Sequence, residues 1–82
     1  MGETLKVAVK IMPRPEALDP QGRAVHGALK KLGFTVDDCR VGKIVILEIN
    51  EDVAASAILK AQQMAEKLLY NPLIETFEVY AL

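Results

Sequence analysis

The sequence predicts an α+β fold in which a small antiparallel sheet carries two helices on one face. Three observations point there: segments whose apolar residues alternate with period two, segments with the three-to-four spacing of an amphipathic helix, and the regular alternation of the two along the chain. Eighty-two residues permit a single domain, residues 1–82, built around one thin core.

The first strand is read from Leu5, Val7, Val9 and Ile11, which alternate with Thr4, Lys6, Ala8 and Lys10. Met12-Pro13-Arg14-Pro15 ends it, because two prolines remove ladder donors and fix φ. Asp19-Pro20 then supplies an N-cap and a proline at the first helical position. Val25, Ala28, Leu29 and Leu32 recur at i, i+3, i+4 and i+7. Lys30 and Lys31 suit the negative end of the macrodipole, and Gly33 suits a left-handed cap, so the first helix is expected over Pro20 to Leu32.

Phe34 to Asn50 is the second extended region, read here as one long, bent strand. Val41, Lys43, Val45, Leu47 and Ile49 share one face, and Ile44, Ile46 and Glu48 the other. Gly42 marks either a bulge or the turn of a hairpin. Asn50 or Asp52 is the expected cap of a second helix, with an alanine-rich stripe of Ala54, Ala57, Ile58, Ala61, Ala65 and Leu68. Asn71-Pro72 stops that helix, and Glu75 to Leu82 closes the chain as a strand. The order is β-α-β-α-β, or β-α-β-β-α-β if Gly42 turns a hairpin. Either is a two-layer ferredoxin-like sandwich.

The inner sheet face follows as Leu5, Val7, Val9, Ile11, Val45, Leu47, Ile49, Phe77 and Val79. The outer face is expected to carry Ala8, Ile44, Ile46 and Tyr80 among Lys6, Lys10, Glu48, Thr76 and Glu78. A solvated face would be polar throughout. An apolar centre of this kind predicts self-association, as a homodimer or a higher homo-oligomer.

Composition removes several classes of function. Ten Lys+Arg against eleven Asp+Glu give a net charge of -1, without the basic excess of a small nucleic-acid-binding module. One cysteine, Cys39, excludes a disulfide framework, and one histidine, His26, argues against a histidine metal site. Asp37 and Asp38 are adjacent, and neighbouring strand residues point to opposite faces, so they do not share a proton. Glu51-Asp52 reads as helix-start chemistry. Asp19 places a negative charge where an anion would approach the first helix, so the Asp19-Pro20-Gln21-Gly22-Arg23 segment reads as a cap. Arg40-Val41-Gly42-Lys43 reads as strand carrying surface charge, and Arg14 as a stiff, exposed cation suited to a contact. No catalytic, cofactor or metal site is expected in this chain. The apolar runs are too short for a membrane span, and the opening residues lack signal-peptide character, so a cytoplasmic protein is expected.

Taken together, four segments carry a resemblance. They are Asp19-Pro20-Gln21-Gly22-Arg23-Ala24-Val25, Ala28-Leu29-Lys30-Lys31-Leu32-Gly33-Phe34, Arg40-Val41-Gly42-Lys43, and Lys67-Leu68-Leu69-Tyr70-Asn71-Pro72-Leu73-Ile74-Glu75. In this order and at this spacing the chain resembles the PurS family, the small subunit of three-subunit phosphoribosylformylglycinamidine (FGAM) synthase. It departs from the family at Met12-Pro13-Arg14-Pro15-Glu16, where members more often carry a lysine and a glycine before the turn.

The resemblance implies a non-catalytic structural subunit of an amidotransferase in purine biosynthesis. In that family a PurQ-like glutaminase releases ammonia from glutamine. A PurL-like synthetase uses ATP and magnesium to activate formylglycinamide ribonucleotide, and PurS-like chains pair and bridge the two. ATP and magnesium therefore belong to the partner. Arg14, Gln21, Arg23, Arg40 and Lys43 are the expected contacts with the larger subunits, and Ala8, Ile44, Ile46 and Tyr80 those with a second copy. The alternative is an ACT-like ligand-sensing domain, which shares the topology, although Pro13 and Pro15 replace the glycine-bearing loop it would use. An RNA-binding sheet would need aromatics on the outer face, and only Tyr80 is available.

Overall fold

β1 (Thr4–Pro13) is the spine of the molecule. The structure, a computed structural model, describes residues 4–82. β2 (Lys43–Asn50) and β3 (Glu75–Ala81) both run antiparallel to β1, one on each side, giving the sheet order β2-β1-β3. The register pairs Val7 with Leu47, Val9 with Val45 and Ile11 with Lys43 on one side. On the other it pairs Val7 with Ala81, Val9 with Val79 and Ile11 with Phe77. The elements follow one another as β-α-β-α-β, with α1 at Pro20–Lys31 and α2 at Ala54–Met64. This is the expected α+β, ferredoxin-like arrangement.

The inner face forms as the alternation predicted. Val7, Val9, Ile11 and Ile49 are buried against Ala57, Ala61 and Ala65 of the second helix, with Leu5, Val45, Leu47, Phe77 and Val79 around them. Alanines at four-residue spacing let the helix backbone sit close to the sheet, so the core is thin and built mostly from β-branched strand residues. Tyr70 closes one side edge-on to Phe77, with ring centroids 4.7 Å apart.

Three details of the sequence reading are corrected. Phe34 to Asn50 is not one bent strand, because β2 begins only at Lys43 and residues 34–42 are irregular. Gly42 is neither a bulge nor a hairpin turn. A Cβ there would collide with the carbonyl oxygen of Ile11 and the sulfur of Met12, so glycine permits close approach to β1 where β2 enters the sheet. Second, neither Asn50 nor Asp52 caps α2. Val53 occupies that position without a side-chain bond, and Glu51 instead pairs with Lys60 at 2.5 Å. Third, Leu68 does not join the apolar stripe. α2 runs on into a π-helical turn, Ala65–Leu69, whose wider i→i+5 spacing shifts the register by one residue. Leu68 is consequently 83% exposed, and Leu69 and Tyr70 pack on the core in its place.

α1 follows its local signals. The Asp19 carboxylate accepts from the Gly22 backbone N–H at 2.9 Å, and Pro20 opens the helix. Gly33 adopts φ 94°, which only glycine takes readily, while Phe34 N–H donates back to the Leu29 carbonyl at 3.1 Å. The chain then returns alongside the helix, where His26 Nε2 donates to the Val36 carbonyl at 2.6 Å. Whereas α2 lies on the sheet, α1 makes no substantial contact with any strand or with α2 among the described residues. The molecule measures 53 × 26 × 14 Å. A ten-residue strand spans about 33 Å and a twelve-residue helix about 18 Å, so α1 and its return segment form an arm continuing past the end of the sheet. The radius of gyration, 16.1 Å, exceeds the roughly 12 Å of a compact chain of this length. No helix among the described residues is long and apolar enough to cross a membrane.

Candidate functional site

Because β2 and β3 are both antiparallel to β1, the end of β1 and the starts of β2 and β3 lie together. Three connecting segments converge there: residues 14–19, residues 39–42 and residues 70–74. They contain Arg14 and Arg40, with Gln21, Arg23 and Lys43 close by in the sequence, and a continuous set of hydrogen bonds locks the segments to one another.

Arg14 ties the first segment to the third. Its backbone N–H donates to the Ile74 carbonyl at 2.8 Å and its Nε to the Pro72 carbonyl at 2.9 Å. Arg40 ties the second to the first, with one guanidinium nitrogen donating to the carbonyls of Arg14 at 2.5 Å and Ala17 at 3.4 Å. Asp19 completes the joint. While one carboxylate oxygen caps α1, the other accepts from the Val41 N–H at 2.9 Å, and Arg40 Nε lies 4.0 Å away. The third segment is built by Asn71 and Glu75. Asn71 Oδ1 accepts from the Leu73 N–H at 3.0 Å, and Glu75 Oε1 from the Asn71 N–H at 2.8 Å.

The electrostatics of the joint centre on Asp19. Its carboxyl is held below its ordinary value of 3.8, first by the Val41 N–H, then by the Gly22 N–H, with Arg40 adding a smaller pull against the opposing effect of burial. Hydrogen bonds donated to the charged form dominate, so Asp19 is a structural carboxylate. A polar recess of about 390 Å³ opens beside it, lined among others by Arg23, His26, Cys39 and Arg40. A smaller one of about 280 Å³ lies across the joint, with Leu18, Gln21, Lys43 and Ile74 on its walls. Among the described residues no group of three potential metal ligands gathers. The Nε2–H of His26 is committed to the Val36 carbonyl. The arrangement fixes loops and presents a surface.

The expected contact residues separate into two kinds. Gln21, Arg23 and Lys43 are exposed around the joint, free to meet another protein. Arg14 and Arg40 are not free surface cations. Both are partly buried, and their guanidinium groups brace the loops, Arg40 from an irregular segment rather than from a strand. The sequence did not reveal Asp19 as a long-range clamp, since its tie to Val41 crosses 22 positions and no local signal encodes it.

The outer sheet face is assembled as expected. Ala8 is paired with Ile46 on one side and Tyr80 on the other, and is itself fully covered. Ile44, Ile46 and Tyr80 are exposed around it. Charged residues frame this centre, with Lys6 3.9 Å from Glu48 and Lys10 paired in register with Glu78.

Comparison with known proteins covers almost the whole chain. Residues 6–82 match the family described as PurS: phosphoribosylformylglycinamidine (FGAM) synthase. The chain is 43% identical over 75 residues to the phosphoribosylformylglycinamidine synthase subunit PurS of Mycobacterium leprae, covering 90% of this chain and 91% of that one. Its structure is similar to the crystal structure of the PurS subunit from Thermotoga maritima, with a TM-score of 0.91, 29% identity and coverage of 100% and 95%. A chain in the structure of PurLQS from Thermotoga maritima gives a TM-score of 0.86 at 30% identity, with coverage of 96% and 98%.

Proposed function

The chain belongs to the PurS family of FGAM synthase subunits, and from that premise we propose that it bridges a PurL-like synthetase and a PurQ-like glutaminase. Its task in this reading is to hold two active sites in a fixed relation while ammonia passes between them. Ammonia in neutral water is largely protonated, and ammonium is no nucleophile, so the transfer depends on enclosure and orientation. ATP and magnesium act in the synthetase, and this chain supplies position. A cytoplasmic location fits a chain with one unpaired cysteine.

The observation that supports the reading is the locked joint at the end of the sheet. Three loops cross-tied by Arg14, Asp19 and Arg40 make a surface rigid enough to set the geometry of its neighbours. Gln21, Arg23 and Lys43 stand around it as contacts for the larger subunits. The covered Ala8 with exposed Ile44, Ile46 and Tyr80 offers a second copy an apolar face, and Ile46→Glu is expected to lower the mass of the assembly.

The test is FGAM formation by the matching synthetase and glutaminase, with and without this chain. The glutamine-dependent rate is expected to require it and the ammonia-dependent rate to be indifferent. If neither rate changes on its addition, the bridging role is wrong.

A further inference from the structure

The contacts assigned to the larger subunits stand on two separate pieces of chain. Gln21 and Arg23 are exposed in the first turn of α1, and Lys43 is exposed at the first residue of β2. Within the chain the joint relates one piece to the other, because α1 has no substantial packing on any strand or on α2 among the described residues. One side chain in the joint bonds both pieces. The Asp19 carboxylate accepts from the Gly22 N–H, between Gln21 and Arg23, at 2.9 Å. It also accepts from the Val41 N–H, two residues before Lys43, at 2.9 Å.

Three further features stiffen this tie. The Asp19 side chain is only 9% exposed, so its bonds are sheltered from competing water. A Cβ at Gly22 would lie 2.5 Å from the Cys39 carbonyl oxygen, so the first turn of α1 rests directly on the segment that leads into β2. Arg40 Nε lies 4.0 Å from the same carboxylate while its guanidinium holds the carbonyls of Arg14 and Ala17. A helix cap needs only the bond to Gly22. The bond to Val41 adds nothing to α1 as a helix; it sets where the first turn lies relative to the start of β2.

We propose that Asp19 is a positioning residue of the FGAM synthase reaction. Its bond to the Val41 N–H fixes Gln21 and Arg23 relative to Lys43, and thereby the glutaminase relative to the synthetase along the path of ammonia. The proposal rests on the bridging role argued above and assigns to one bond the geometric accuracy which that role requires. Ammonia that is released from glutamine but not delivered is protonated and lost, so misplacement is read as glutamate formed without FGAM. A displacement of about 1 Å far from the chemistry can cost about 100-fold in rate.

Two substitutions remove the second bond and keep the first, since Asn and Ser cap helices as well as Asp does. Asp19→Asn retains an acceptor for Gly22 but turns an amide donor toward the Val41 N–H. Asp19→Ser has a single oxygen, too short to serve both. In each variant the Val41 amide should exchange with solvent about tenfold faster than in wild type, read by nuclear magnetic resonance on this chain. Each is then titrated into the matching synthetase and glutaminase with glutamine as nitrogen donor. The half-saturating concentration should stay within about twofold of wild type, because every contact residue is retained. The plateau rate of FGAM formation should fall about tenfold, and glutamate released per FGAM should rise from about one to about ten. A merely structural role would instead raise the half-saturating concentration, and excess variant would restore the plateau. That restoration would overturn the proposal. So would wild-type stoichiometry in variants whose Val41 amide is freed, or a Val41 amide still protected in both. These three results leave the bridging role standing, whereas a wild-type chain that fails to raise the glutamine-dependent rate overturns both.

Discussion

Two glycines of α1 make a matched pair in which helix propensity and packing predict opposite signs. Gly27 stands in the helix interior, and a Cβ added there meets nothing within 4 Å. Gly27→Ala should therefore yield the ordinary gain of glycine to alanine, about 0.8–1 kcal/mol. Gly22 is buried in the first turn, and its Cβ would strike an oxygen of Asp19, come 2.5 Å from the Cys39 carbonyl oxygen and 2.8 Å from Asp19 Cγ. The obstacle includes backbone and a carboxylate fixed by two other bonds, so neither can swing aside cheaply. An overpacking cost of about 1–3 kcal/mol equals or outweighs the same propensity gain and leaves Gly22→Ala neutral to about 2 kcal/mol destabilising.

For a domain of this size 1 kcal/mol corresponds to roughly 4–8 °C in Tm. Gly27→Ala is thus expected to melt about 4–8 °C higher than wild type, and Gly22→Ala at or below wild type by up to about 16 °C. Thermal unfolding followed by circular dichroism, with chain concentration held constant, measures both. If Gly22→Ala stabilised the protein as much as Gly27→Ala, the close packing of α1 on residues 39–41 would be wrong, and with it the rigid root of the arm.

Further outcomes test other parts of the structure. Leu68→Ala should alter stability by no more than about 0.5 kcal/mol, whereas Leu69→Ala, on the core side of the π-helical turn, should cost about 2 kcal/mol in urea unfolding; equal effects would remove the register shift. Asp19 has a folded value below its ordinary 3.8, so its contribution is complete above the unfolded value and disappears as pH falls through the lower folded one. Asp19→Asn should accordingly flatten the stability profile below about pH 4 in acid titrations of urea unfolding. Arg23→Ala with Lys43→Ala should weaken co-purification with the synthetase and glutaminase without lowering Tm, while Arg40→Ala should lower Tm because it removes a brace.

The parts of this fold legible in the sequence are those encoded locally. β1 declares itself by alternation, and α1 by Asp19-Pro20 at one end and Gly33 at the other. The inner face and the outer cluster of Ala8, Ile44, Ile46 and Tyr80 follow from period two once the strands are placed. What the sequence hid depends on distant partners. Residues 34–42 are irregular and are tied to distant side chains, the Val36 carbonyl to His26 and the Val41 N–H to Asp19, and the π-helical turn is a register change with no compositional mark. Arg14 and Arg40 read as surface charge because their acceptors are carbonyls brought near only by the fold. The division between bracing and presenting residues therefore required the three-dimensional arrangement.

The central position of β1 has a kinetic consequence. The first strand of the chain must wait for β2 on one flank and for β3, the last, on the other, where Val7 pairs with Ala81. Such pairings across the chain's length make closure slow relative to helix formation. Until β3 docks, one flank of the strand that is most deeply buried in the finished fold is an open template for other chains. A nascent or truncated chain lacking residues 75–81 would therefore be prone to aggregate.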